Sequence, residues 1–329
     1  MKLSDWPAYP HQVDALVRRW REAHPGLISV EALPQYTRHR VYALTVSDGP
    51  DDQQDKRGLI CAVPHAHEPA ATVGILDFVN ELLTGQHLDR RPSELDRERI
   101  LRRCLLTFIP DANPGGRARS PQPYWDGRSL SNNDFLDVAF GIDARTEGRF
   151  KRVARWSMLE DVPARLGIVY EQVSEHEYVE PNRDEGSSLV RLSRAMQARH
   201  RYHCQVHLHQ TEFDWQGKDP TNCMAILPAL QDELPEGLQR QNLALAGRMI
   251  EAWREVGGHP LPEPRPFGYG EPARGWFVRC WGEVQRRMPD VLVEVQNNNR
   301  NTAPVQQMAL CSAGIRAAVG WLVVGAEER

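Results

Sequence analysis

The chain has 329 residues, 41% hydrophobic and 26% charged, with a formal net charge of −4 at pH 7. That length and apolar content suffice for one large α/β domain spanning residues 1–329, and they exclude a disordered chain. The slight acidity argues against nucleic acid or an anionic membrane as partner, leaving peptides or small molecules.

The first residues are polar from Lys2 and Asp5 onward and do not read as a signal peptide. No uninterrupted apolar run approaches the roughly 20 residues of a bilayer span. The cysteines Cys61, Cys104, Cys204, Cys223, Cys280 and Cys311 are scattered, mostly inside apolar runs, and read as small buried hydrophobes rather than a disulfide framework. A reducing cytoplasm is the expected compartment. No feature specifies an oligomeric state.

In chain order, helical spacing over Tyr9 to His24 ends at Pro25-Gly26, and extended runs follow at Leu27 to Leu33 and Arg40 to Val46. Gly58 to Val63, closed by Pro64, suits a buried strand, and Ala70 to Leu83 a helix. A second buried strand, Leu105 to Ile109, precedes the turn around Asn113-Pro114-Gly115-Gly116, and Arg117 to Asn133 reads as a long polar loop. Helical patterns cover Arg149 to Leu166 and Ser187 to Arg199. The strand Cys204 to His209 runs into a polar stretch, Thr211 to Asn222. A helix over Leu238 to Val256, a proline-rich connection, the strand Val291 to Val295 and a helix over Val305 to Val319 close the chain. Strands alternating with helices predict a mixed, mostly parallel central sheet with helices on both faces, and in such sheets functional groups collect at strand ends.

Three segments at strand ends carry chemistry. In Pro64-His65-Ala66-His67-Glu68, a histidine and a glutamate three apart on a tight turn can aim imidazole and carboxylate at one point. Zinc takes three such N/O ligands and keeps one position open, although His-x-x-Glu alone is common by chance. In Val206-His207-Leu208-His209, strand alternation puts both histidines on one face. In Val291-Leu292-Val293-Glu294-Val295, a glutamate sits inside an apolar strand, as a buried ion pair or as a general base. Glu175-His176-Glu177 reads as a solvated charge run. There is no Gly-x-Ser-x-Gly elbow or phosphate loop, and Gly268-Tyr269-Gly270 lacks the third glycine of a dinucleotide site.

Taken together, these segments resemble the M14-type zinc metallocarboxypeptidases and the related desuccinylase-like hydrolases. The resemblance covers essentially the whole chain, with Asn113-Pro114-Gly115-Gly116 close to the family's Asn-Pro-Asp-Gly turn. It implies a zinc hydrolase acting on a peptide or small amide, with Zn2+ on His65, Glu68 and His209 and Glu294 as general base. His67, between two ligands, falls among the substrate contacts. The family's Asp-Leu-Asn-Arg-Asn-Phe segment, whose Asn-Arg pair grips the substrate carboxylate, aligns with Leu130-Ser131-Asn132-Asn133-Asp134-Phe135. On that alignment Asn132 and Asn133 replace the pair, and Asp126 or Asp134 stands in for the aspartate that orients the first histidine. His207 occupies a position usually held by aspartate. For the arginine that polarises the carbonyl, the resemblance points to Arg119 or Arg128, with Arg117 read as structural. Trp281 precedes Glu294 by the family's usual interval, which puts Arg279 at the specificity pocket, and Tyr269 is the substrate-closing tyrosine. Absence of the Asn-Arg pair keeps an amidase or deacylase reading open beside the exopeptidase.

Overall fold

A computed structural model describes residues 1–53, 55–212 and 220–327. Helix α1 (Pro10–Ala23) leads into the hairpin β1 (Ile28–Pro34) and β2 (Arg40–Val46), then β3 (Arg57–Ala62), α2 (Pro69–Thr84), α3 (Arg97–Arg103) and β4 (Cys104–Ile109). The short α4 (Pro114–Arg117) and α5 (Asn132–Phe140) precede five small strands: β5 (Gly141–Asp143), β6 (Arg155–Ser157), β7 (Pro163–Leu166), β8 (Glu171–Gln172) and β9 (Glu177–Val179). Then come α6 (Ser188–Arg199), β10 (Cys204–Thr211), β11 (Cys223–Ile226), α7 (Glu236–Glu255), α8 (Ala273–Gln285), β12 (Asp290–Gln296) and α9 (Pro304–Glu327).

Seven strands form the central sheet in the order β1-β2-β4-β3-β10-β12-β11. The four inner strands β4, β3, β10 and β12 are mutually parallel, and the antiparallel pairs lie toward the edges. Both sheet faces are buried, so the inner strands read as nearly continuous apolar runs. Alternation sorts their side chains. Leu59, Cys61, Val206, Leu208, Val291 and Val293 join one core with residues of α1, α2, α7 and α9. Ile60, Ala62, Leu105 and Leu292 join the other with α6 and α8. His207, His209 and Glu294 share the parity of Leu292, which places them on the α6–α8 face. All six cysteines are free and buried, as their apolar settings predict. Helix α9 is long and apolar enough to cross a bilayer by length and composition, but it packs on α2, α7 and the sheet.

The predicted helix over Arg149 to Leu166 is not formed. Pro163 cannot sit inside a helix, and Phe150, Trp156, Tyr170 and Tyr178 instead build a small aromatic core between short strands. Trp156 and Tyr178 stack there at 4.5 Å. Of the predicted polar stretch Thr211 to Asn222, residues 213–219 lie outside the described residues.

Arg117 ties the site loop to the rest of the fold. It is 1% exposed and donates to the carbonyls of Ala8 (2.7 Å), Ala66 (3.0 Å) and Gln122 (2.7 Å) and to Ser120 Oγ (3.2 Å). Each carbonyl left unpaired on its removal costs about 1–3 kcal/mol. Arg117→Leu is therefore expected to destabilise the fold by about 3 kcal/mol or more, read as a lowered urea midpoint at unchanged slope. A midpoint equal to the parent's would show that these carbonyls find other partners.

Candidate metal centre

Two prolines shape the turn that carries the first two ligands. Pro64 lacks the N–H that would extend β3, and Pro69 opens α2 at a position suited to proline. The four residues between them must bend sharply. His65 N donates to Glu68 Oε2 (2.8 Å), and Glu68 N to the carbonyl of His65 (3.2 Å). The Glu68 carboxylate thus lies at the helix N-terminus, where negative charge is favoured.

The third ligand arrives from β10, whose register sets His209 beside Glu294 of β12. His65 Nδ1 lies 2.8 Å and His209 Nδ1 3.0 Å from the same oxygen, Glu68 Oε1, and the three ligand atoms are within 4.8 Å of one another. Two imidazole nitrogens and a carboxylate oxygen converging on one point form the donor set of a catalytic zinc site. Burial disfavours a charged imidazole at His65, but Glu68 and Glu180 outweigh it and hold a proton there up to about 10. Burial also opposes ionisation of Glu68, and His65 and His209 overcome it, keeping that carboxyl well below its usual range. The pocket is thus built for positive charge.

Each ligand ring is oriented through its other nitrogen. His65 Nε2 contacts the Glu180 carboxylate, and His209 Nε2 lies 3.1 Å from the Asn182 amide. Asn182 Oδ1 has no other partner, so a half-turn of the amide lets it accept from Nε2–H, the tautomer that frees Nδ1 for a metal. Glu294 Oε2 is shut off from solvent and has no hydrogen-bond partner. Burial raises the Glu294 carboxyl to about 7, with Glu68 adding to the effect and His209 opposing it. His207 packs behind the site: its Nε2 is 2.6 Å from Gln205 Nε2 and its ring meets Trp281 at 4.5 Å.

The cavity over these groups has a volume of about 140 Å³ and is lined by the three ligands, His67, Glu294 and Tyr269 together with Arg152, Glu180, Asn182 and Arg183. Tyr269 is 44% exposed at the rim, its ring 5.1 Å from the guanidinium of Arg183. Several expected residues lie elsewhere. Arg119 donates to the carbonyls of Gly115 (3.1 Å), Gly167 (3.1 Å) and Tyr170 (3.3 Å), and Arg128 is exposed; neither lines the cavity. Asn132 accepts from Asn298 (2.8 Å) and Asn133 is exposed, again outside the cavity. Asp126 caps its own loop and Asp134 bonds Ser131, so neither orients His65. Helix α8 faces the cavity with Ala273 and Phe277; Arg279, two residues on and about 200° around the helix, points to solvent.

Glu180, Asn182 and Arg183 line the cavity. Glu180-Pro181-Asn182-Arg183-Asp184-Glu185 resembles the motif sought at Leu130–Phe135 in its Asn-Arg pair and departs from it at Glu180, Pro181, Asp184 and Glu185. The small strands β5 to β9 lie between the two places. Asp77, Glu81 and His87 form a second cluster of metal-binding types. Its carboxylate oxygens are already taken by Leu88 N (2.7 Å), His87 Nδ1 (2.7 Å), Ser93 Oγ (2.6 Å) and Arg316.

No protein-family model matches the chain, and no curated protein matches it in sequence. Solved structures do. A metallo-carboxypeptidase from Burkholderia cenocepacia is 15% identical with a TM-score of 0.56, covering 94% of this chain and 68% of that one. One from Pseudomonas aeruginosa, in complex with (2-guanidinoethylmercapto)succinic acid, is 14% identical with a TM-score of 0.56, covering 96% and 69%. Carboxypeptidase A from Helicoverpa armigera is 15% identical with a TM-score of 0.58, covering 97% and 74%. The chain has the fold of the metallo-carboxypeptidases.

Proposed function

We propose that this protein is a zinc-dependent carboxypeptidase that hydrolyses the last peptide bond of a chain with a free C-terminus. The observation that carries this reading is the meeting of His65, Glu68 and His209 with Glu294, Asn182 and Arg183 in one cavity. His65, Glu68 and His209 would hold the ion. Zinc in such a site supplies a Lewis acid and lowers the pKa of bound water toward neutrality.

The chain's own groups do the rest. Glu294, poised near neutrality and free of other partners, accepts the proton of the attacking water and returns it to the leaving amine. Arg183 is 9% exposed, with its Nε 3.6 Å from Glu180 Oε2, and offers the remainder of its fork to a substrate carboxylate. Asn182 supplies the adjoining amide, and its backbone carbonyl is fixed by Trp281 Nε1 at 3.0 Å. Asn182 and Arg183 in the cavity support the exopeptidase reading over the amidase or deacylase.

Purified protein is expected to bind about one zinc per chain, and His65→Ala or His209→Ala to lose it, as measured by elemental analysis after dialysis. Full occupancy in His209→Ala would remove that residue from the site. Glu294→Gln is expected to keep zinc but lose about 10²–10⁴ in kcat. Because the base must be ionised, kcat/KM should fall on acidification, with a midpoint between the ordinary 4.5 and about 7; the charge of the metal pulls it toward the lower end. A profile flat across that window would mean another group activates water.

Peptides with a free C-terminus should be cleaved and their C-terminal amides spared. Arg183→Ala should raise KM for the free peptides by the equivalent of about 1.5–3 kcal/mol. Equal turnover of amides and acids would favour the amidase.

A further inference from the structure

Glu68 stands at the N-cap of α2, the position whose side chain ordinarily accepts from the N–H groups of the first helical turn. Its carboxylate makes no such bond, being turned toward His65 and His209. The helix is capped all the same. Pro69 has no N–H to satisfy, and Thr72 N reaches the carbonyl of Glu68 at 3.2 Å. Ala70 N (2.9 Å) and Ala71 N (3.3 Å) both donate to Gln210 Oε1, an oxygen supplied by β10 from the residue next to the ligand His209.

Gln210 is 1% exposed. Strand alternation turns it away from the His209 side, toward the sheet face on which α2 and α9 pack. Its amide sits only one way round, since two backbone groups donate to Oε1 and Nε2 donates to Gln307 Oε1 at 3.1 Å. Gln307 of α9 is fixed in turn, its Nε2 shared between the carbonyls of Trp125 (2.9 Å) and Thr302 (2.8 Å). Trp125 Nε1 reaches back to the carbonyl of His67 at 3.0 Å, and Asn297 Nδ2 joins it there at 3.1 Å. This run of bonds starts beside one ligand and closes on the turn that carries the other two.

We propose that Gln210 is a positioning residue: it caps α2 in place of Glu68 and thereby keeps the Glu68 carboxylate in the metal site. This rests on the metal reading above. Without an acceptor at Oε1, the N–H groups of Ala70 and Ala71 are buried and unpaired at the positive end of a 16-residue helix. Glu68 occupies the position from which a side chain reaches those groups, and it carries the charge the helix end attracts. A carboxylate drawn there is lost to the ion. With Gln210 in place the two N–H groups are satisfied, and the backbone N of the same residue adds a bond to Glu68 Oε1 at 3.3 Å.

The test is zinc affinity by chelator competition, with urea midpoints of the zinc-free and zinc-loaded protein beside it. Gln210→Met keeps the length of the side chain but removes the acceptor, and is expected to weaken zinc binding by about 10–100-fold. A cap that served the helix alone would lower both midpoints equally and leave the affinity unchanged, because linkage ties affinity to the difference between them. Zinc affinity within about two-fold of the parent's in Gln210→Met therefore overturns the proposal. Should that variant not fold, Gln307→Met decides, since it leaves Oε1 in place but frees the Gln210 amide to turn. It is expected to weaken zinc by about three-fold or more, and affinity equal to the parent's overturns the proposal there. A parent that binds no zinc removes the metal reading itself, and this inference with it.

Discussion

The Glu68 carboxylate is 1% exposed, accepts hydrogen bonds from His65 N and from Gln210 N at 3.3 Å, and has the Nδ1 atoms of His65 and His209 beside its Oε1. A charge so enclosed is costly unless every oxygen is satisfied and opposite charge stands nearby. Meeting that demand draws three separate parts of the chain to one point: the end of β3, the start of α2 and the end of β10. The two prolines around the turn remove the alternatives, since neither strand nor helix can run through it. The parallel centre of the sheet then brings Glu294 alongside, because register fixes it beside His209.

A second constraint comes from the side strands. The segment from α5 to Arg183 has its own aromatic core, and its exit delivers Glu180, Asn182 and Arg183 together. Glu180 and Asn182 each hold one ligand ring by the nitrogen that faces away from Glu68. The contacts to both rings and the Arg183 guanidinium therefore come from one pentapeptide, and Trp281 of α8 pins its backbone. Damage to the aromatic core of the side strands would reach the metal ligands through this segment.

The central sheet was largely legible in the sequence because its strands are buried on both faces and read as short apolar runs between turn residues. The convergence of His65, Glu68, His209 and Glu294 was legible for the same reason: polar residues at the ends of such runs stand out. The region between Asn113 and Ser187 was not. Its strands are three or four residues long or fewer, too short to show a period of two, and the spacing of Val153, Trp156 and Leu166 mimics a helix. The lost register there put the expected substrate contacts at Asn132 and Asn133, whereas Asn182 and Arg183 line the cavity. Arg279 failed for a different reason, since an interval from Trp281 carries no information about which face of α8 meets the cavity. Arg152, which lines the cavity, had no sequence signal, because its place depends on tertiary stacking against Phe140 and Tyr269.

The central claim is that one cation sits between His65, Glu68 and His209. Anomalous diffraction above and below the zinc edge, on crystals of the protein purified without chelator, tests it most directly. The account predicts a single strong difference peak bounded by His65 Nδ1, His209 Nδ1 and the Glu68 carboxylate. A peak at Asp77, Glu81 and His87 instead, or none at Glu68 in crystals grown with zinc, would contradict it.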